Sequence, residues 1–585
     1  MKIDFSALDS PAVPEQVAAA YKFLHSTVSA ASDGAHTPFG LPDEQSILGA
    51  IRKLMPHAGE LETRYLLTRT GNSNLRTPHR PLEGAKSRVA IVGGGISGLI
   101  FANHLSNLGL EVKVFEQKSN SGGTWARPHY PGQRVDIAGH VYWPAQFEPA
   151  SWKAVFPTGP ELADRIGDQT KKLKTLCTFA FNSQVRTLTW QQNSANWKVQ
   201  YLDKCSGLVS EEEFDFLVVA PGKLSTPVLP LGLEGNKSVG QHSSILDVSR
   251  QDPRKPICVV GSAASGIQLA TELSMEGHKV HLFQRSPSWI LPTPSYRQES
   301  SPLIQGLQKE DHLFSLLYRL FYLGKSLRGN LDSVIVDSKA KSEGLEISEK
   351  NNSWRLELED YIQSRISGAT LPLDWLIPNY PPGSRRLVLD DGEYLSAVLG
   401  ERIEVHGASD IRNADDVRAL LRLTDSVPEN IVWATGFDPA AWTEKFSVVG
   451  ETKETLKSLI YKSGLHYKGV MVSGYPNLFL AWGPNSNVVV SGSNTHMMEL
   501  QAEFTGKVIS EMAKEGHNRV SVGREVSEGY ARKIASKSFG FAWGAHSVKS
   551  WYKTNEGLSI ENWPGDTIDY FKELFLETLD GLDFS

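Results

Sequence analysis

The chain predicts an α/β fold: two Rossmann-like dinucleotide-binding domains, a helical insert in the second, and a helical N-terminal extension before the first. Three observations carry this. RVAIVGGGISGL, starting at Arg88, and PICVVGSAASGI, starting at Pro256, are each a short β-branched run entering a small-residue turn, followed by apolar positions at helical spacing. Two later runs, FDFLVVAPG and NIVWATGFD, read as buried strands ending in small-residue turns. At 585 residues the chain is also too long for one core.

Residues 1–85 form the extension. PEQVAAAYKFLHSTVSAA and DEQSILGAIRKLMPHAGELETRYLL read as amphipathic helices joined by DGAHTPFGLP, and HRPLEGAKS reads as a polar linker. The extension is a cap packed on the core or an oligomerisation element; the oligomeric state is not legible.

The first nucleotide domain is expected over 86–245. Gly93 permits the tight turn, Gly95 lets backbone approach a pyrophosphate, and Gly98 lets the helix pack on its strand. Ile96 and Ser97 open that helix, whose free N–H groups and positive dipole end face the phosphates. Gly109 ends it, and EVKVFE closes a second strand on Glu116, followed by Gln117. An acid there accepts hydrogen bonds from a ribose diol, so this site suits FAD. GGTWARPHYPGQRVDI comes next, with Gly122-Gly123, the flat face of Trp125, and Asp136 just after a Pro131-Gly132 turn. QVRTLTWQQNSANWKVQYLD reads as strands with turns.

The second domain is expected over 246–430. Gly261, Ser262, Ala263, Ala264, Ser265 and Gly266 repeat the turn, Ile267 and Gln268 continue the helix, and the next strand ends at Gln284-Arg285, before Ser286. Ala263 replaces the middle glycine. An arginine at that strand end pairs with a 2′-phosphate where an acid would repel it, so this site suits NADPH. The plainer alternative for Arg285 is a solvated strand end. Two unlike nucleotide units favour a flavin-reducing oxidoreductase over a simple dehydrogenase. The insert, about 297–370, contains LFSLLYRLFYLGKSL, apolar and aromatic on one face. It is an insert helix, a substrate-pocket wall or a membrane-surface patch, with an insert lining the substrate side ranked first. Residues 431–585 are expected to return to the FAD domain and close with a Trp- and Gly-rich tail.

The net charge of −6 gives no reason to expect nucleic acid. Cys177, Cys205 and Cys258 form no CxxC pair and no metal spacing, so no metal and no dithiol redox centre are expected. No apolar run nears membrane-spanning length, and the N-terminus lacks a signal peptide's apolar core. A cytoplasmic protein is expected.

Taken together, GGTWARPHYPGQRVDI, GSAASGIQ with QRSPSW, PPGSRRL, and GYPNLF, GPNS, SWY and NWPG resemble the class B flavoprotein monooxygenases, most closely their Baeyer–Villiger branch. The resemblance runs from about Arg88 to the end. The extension looks like that of acetophenone-type and fungal secondary-metabolite members. It implies that NADPH reduces FAD, that O2 adds to give a C4a-peroxyflavin, and that a bulky apolar ketone becomes an ester or lactone. It implies Arg386 as the catalytic cation and Asp136 as the carboxylate that orients it. Gly123, Thr124, Trp125, Arg134, Val135, Tyr142 and Val185 fall among the FAD-side residues, and Arg385 joins Arg285 and Ser286 at the 2′-phosphate. One departure stands out. In SVGQHSSILD, Gly240 is too close to His242 for the family's linker signature, and Leu246 stands where it has an aromatic. Nitrogen or sulfur oxidation, epoxidation, and redox-neutral isomerase or cyclase chemistry on this scaffold stay open as alternatives.

Overall fold

The computed structural model describes residues 8–30, 43–70, 87–127, 129–229, 240–247, 256–327, 329–339, 346–368, 371–407, 430–545, 550–554 and 557–585. DGAHTPFGLP and nearly all of HRPLEGAKS lie outside them, as do Ser238 and Val239 of the linker segment.

Two parallel five-stranded sheets organise the chain. The first has the order Leu478–Leu480, Phe216–Val219, Arg88–Val92, Glu111–Phe115, Thr178–Ala180. The second has the order Ile403–Gly407, Val280–Gln284, Ile257–Val260, Asn430–Trp433, Gln241–His242. Every pairing in both is parallel. The central strands Phe216–Val219 and Ile257–Val260 are buried along their length, as continuous apolar runs covered on both faces should be. Gln241–His242 and Asn430–Trp433 both join the second sheet, at or beyond the limits 246–430 drawn from the sequence. A mixed sheet, Ser447–Val449, Ser183–Gln191, Asn196–Asp203, Val209–Phe214, packs beside the first.

The extension forms three helices, Glu15–Ala30, Glu44–Leu54 and Glu60–Thr68. Sequence periodicity alone reads the last two as one. Pro56 lacks the N–H a helix interior needs, and the chain breaks over Met55–Gly59. These helices cover the insert helix His312–Leu327. Phe314, Leu317, Leu320, Phe321 and Leu323 of that helix share one core with Val17, Leu24, Ile51 and Leu54. Tyr21 donates its hydroxyl to Asp311 at 2.9 Å, and a Cβ on Gly324 would fall 1.6 Å from the Met55 sulfur. The aromatic face of LFSLLYRLFYLGKSL is therefore a core face, which removes the membrane-surface reading. Among the described residues no helix is long and apolar enough to cross a membrane.

A buried charge cluster fastens the extension. Arg69 has no exposed surface. Its Nη2 donates to both carboxylate oxygens of Glu503, at 2.8 and 2.7 Å, and its Nη1 lies 3.5 Å from Glu499. Both acids come from Asn494–Glu515, which periodicity reads as amphipathic but which is buried on nearly every side through Ser510. The acids are tolerated because each has a partner: Glu499 also accepts the Gln146 N–H at 2.9 Å.

Candidate active site between two nucleotide cradles

The first cradle is backbone held at close quarters. Gly93 has φ +113°, and a Cβ there would lie 2.2 Å from the Ala220 carbonyl oxygen; at Gly98 it would lie 2.0 Å from that of Gly93. Only glycine fits either place. Gly95 differs, because the nearest atom to an added Cβ is Gly123 Cα at 3.7 Å. The Gly122–Trp125 turn closes over it, with Gly122 N–H on Gly94 O at 2.9 Å. Ile96–Asn107 starts at Gly95 without a side-chain cap, and so does Ala264–Met275 at Ala263. The helices starting after Thr158, Ser301, Ser348 and Asp566 each have one, while those starting after Gly59, Gly392 and Gly523 also lack it. The nucleotide helices keep their first N–H groups for a ligand, as an anion site requires.

Glu116 is buried and accepts the Gly94 and Lys118 amides at 2.8 and 2.9 Å, one on each oxygen. Each oxygen keeps a lone pair for a ribose hydroxyl. Gln117 is exposed beside it. Val185 is buried in the mixed sheet, two residues after Ser183, whose N–H donates to Glu116 O at 2.9 Å. Half-buried Thr124 stands in the turn. Trp125 Nε1 donates to the Tyr142 hydroxyl at 2.6 Å, the rings meeting edge to face. The chain thus has an open glycine cradle, uncapped amides and a ribose acceptor, and its residues fit FAD.

In the second cradle a Cβ on Gly266 would lie 1.7 Å from Gly261 O, while Ala263 stands exposed at the mouth. Ser262 Oγ donates to Ser286 O at 3.1 Å, fixing the strand-end turn. Arg285 is exposed, with no ion pair among the described residues. Arg385 Nη1 donates to Ser286 Oγ at 2.9 Å and stacks on Tyr380, 4.4 Å from the ring centre. A guanidinium and a hydroxyl meet there, and Arg285 is the residue next to Ser286 in the chain; this donor set fits a phosphate and hence NADPH.

The next residue turns to a different partner. Arg386 Nη1 pairs with Asp136 Oδ2, and their side chains keep 38% and 27% exposure. The Asp136 carboxylate holds the Arg386 guanidinium further into its cationic range, outweighing the opposing pull of burial. The buried Tyr552 ring lies alongside; burial raises its phenol pKa and the Arg386 charge opposes the rise. Consecutive arginines thus take different partners, one reaching Ser286 and the other Asp136.

Arg134 and Val135 sit in a clamp between elements. Val135 is buried in the first core. Arg134 Nη1 donates to Tyr296 O at 2.8 Å, and its own carbonyl accepts Gln268 Nε2 at 3.1 Å. Gln268 also donates to the Tyr296 hydroxyl and accepts that of Tyr130, at 2.6 and 2.7 Å. Burial pushes the Tyr130 phenol up to about 12, so it stays a donor. Ser265 and Ile267 lie on the same helix, with Ser265 Oγ 3.2 Å from the Tyr130 hydroxyl. This ties the turn before Asp136 to the second nucleotide helix. Sequence reasoning missed Tyr130, Tyr296 and Tyr552 as site-building residues, although YPG signalled the first and SWY the last; no motif marked Tyr296.

The altered linker is firmly seated. His242 is buried, its Nδ1 accepts the Ser244 N–H at 3.1 Å, and its Nε2 donates to Gly436 O at 3.0 Å. Burial lowers its pKa to about 4, so the ring is neutral. Gly240 has φ +101° and a Cβ there would lie 2.6 Å from Ile431 O, while Leu246 is buried in the second core. Glycine is required by that contact, and an aliphatic side chain fills the place of the aromatic.

Comparison with known proteins agrees with this architecture. Residues 91–156 match the family described as "NAD(P)-binding Rossmann-like domain". The "FAD-binding monooxygenase ktnD" of Aspergillus niger is 28% identical over 514 residues, covering 84% of this chain and 80% of that protein. A "Baeyer-Villiger monooxygenase" of Pseudomonas aeruginosa is 26% identical over 503 residues, covering 84% and 90%. The structure of OTEMO in complex with FAD and NADP superposes with a TM-score of 0.67 at 19% identity, covering 85% of this chain and 99% of that one. Over most of its length the chain is similar in sequence to FAD-binding and Baeyer–Villiger monooxygenases, and it has the two-nucleotide-domain fold of the matched structures.

Proposed function

We propose that this protein is an FAD- and NADPH-dependent monooxygenase that inserts one oxygen atom of O2 beside the carbonyl of a bulky apolar ketone, in the assembly of a secondary metabolite. The observation that carries the reading is the adjacency of Arg385 and Arg386, one bonded to Ser286 and the other to Asp136. The comparisons support the flavin-dependent class.

Bound flavin, reduced by the nicotinamide, supplies the activation of O2. The chain supplies position and charge. Gly95 and the uncapped amides from Ile96 onward hold the pyrophosphate, Glu116 the ribose, and Arg285, Arg385 and Ser286 the 2′-phosphate. The Trp125–Tyr142 pair walls the flavin side and excludes water. Arg386 presents a permanent cation where negative charge grows on the ketone oxygen as the carbonyl becomes tetrahedral. One such preorganised donor is worth roughly 3 kcal/mol. Asp136 keeps the guanidinium oriented. The burial of the insert aromatics under the extension leaves the pocket wall to other residues of this region, and the bulky apolar substrate class rests on the resemblance.

The test is turnover of the holoenzyme with NADPH, 18O2 and a panel of cyclic and aryl ketones, analysed by mass spectrometry. One 18O atom in an ester or lactone, at one NADPH per product, supports the reading. Oxygenation only of amines or sulfides, or conversion without O2, overturns it.

A further inference from the structure

The second sheet holds three metal-ligating side chains that the nucleotide chemistry does not use. His281 lies on Val280–Gln284, and Glu404 and His406 on the edge strand Ile403–Gly407. The parallel register sets His281 opposite Glu404 and Phe283 opposite His406. Side chains two apart share a face, so the three project to the same side. His281 Nδ1 lies 3.0 Å from His406 Nε2 and 3.0 Å from Glu404 Oε2, and the last two are 3.9 Å apart.

We propose that these residues bind one zinc ion. The triangle they form places all three atoms about 2.0 Å from a common centre, where zinc bonds to imidazole nitrogen and carboxylate oxygen run roughly 2.0–2.2 Å. A tetrahedral ion lies off the donor plane and draws His406 Nε2 and Glu404 Oε2 together from 3.9 Å to ~3.4 Å, a shift these two partly exposed side chains can make. Two imidazoles with one carboxylate select a borderline transition metal over magnesium or calcium. Access is provided for: His406 and Glu404 keep 28% and 37% side-chain exposure, while His281 is buried. The surroundings orient the set. Lys279 holds the other Glu404 oxygen at 2.8 Å, leaving Oε2 for the ion, and Phe283 stacks on His406 at 4.7 Å. The ion would pin the edge strand to the strand that ends at Arg285.

The test uses untagged, full-length holoenzyme freed of metal by a chelator and titrated with zinc chloride by calorimetry. Metal is then counted after gel filtration. The expected result is one zinc per chain and a higher Tm, with affinity falling at least tenfold in both His406→Ala and Glu404→Gln. Unchanged FAD content in the variants shows that they fold. Zinc that does not survive gel filtration in the unmutated protein, or equal affinity in the variants, overturns the site. So does an anomalous zinc peak anywhere but between His281, Glu404 and His406.

Discussion

Replacing Arg69 with methionine should loosen the N-terminal helices and the flavin-side loop together. Methionine keeps most of the volume and removes the charge. Glu499 and Glu503 then remain buried, with relative exposures of 0% and 6%, and without the three contacts Arg69 makes to them. Removing one partner of a buried pair costs about 3–5 kcal/mol, most of it from the stranded charge. Glu499 also accepts the Gln146 amide, so the strain passes into the loop that follows Tyr142. The assay is limited proteolysis beside urea denaturation, followed by tryptophan emission. Arg69→Met should expose the extension to cleavage and lower the denaturation midpoint. Adding Glu499→Gln and Glu503→Gln should restore most of the loss, because neutral amides are cheaper to bury. A single variant as resistant as the parent, or a triple variant no better than the single one, would refute the reasoning.

Three further outcomes follow from the site. Gly95→Ala should fold normally, since an added Cβ meets nothing nearer than 3.7 Å, yet its methyl occupies the approach to the pyrophosphate; FAD affinity should drop at least tenfold, and full flavin content would show that the cradle is misassigned. Arg385→Ala removes a charged donor worth about 2 kcal/mol, so KM for NADPH should rise about 30-fold while KM for NADH changes little. The buried neutral histidines His140, His242 and His466 have pKa values lowered from 6.5 to about 4. The unfolded chain then binds more protons between those values, so their stability contribution is complete above pH 6.5 and is lost as pH falls toward 4, by at most about 2 kcal/mol each at pH 5. A denaturation midpoint unchanged between pH 7 and pH 5 would contradict this.

Both nucleotide units were legible because local rules write them: a β-branched run, a turn that tolerates no Cβ, a helix and a charged strand end. The Arg386–Asp136 pairing was legible only through the resemblance, since 250 residues separate the two. The role of Gln268 was not, because its partner Tyr130 is 138 residues away and Tyr296 comes from beyond the next strand. Periodicity misjudged Asn494–Glu515, where charges supplied by Arg69 permit burial of acids that look solvent-facing. It also could not place Glu404 opposite His281 with His406 beside them, because strand order in a parallel sheet is set by crossovers.

The most direct test of the central claim is Arg386→Ala in the FAD-loaded enzyme, scored as oxygenated product per NADPH consumed. The account predicts full FAD content and continued NADPH oxidation, with ester or lactone formation down at least 100-fold, the scale of one lost oxyanion donor. Product formation at the parent's ratio would contradict it and remove Arg386 from the chemistry.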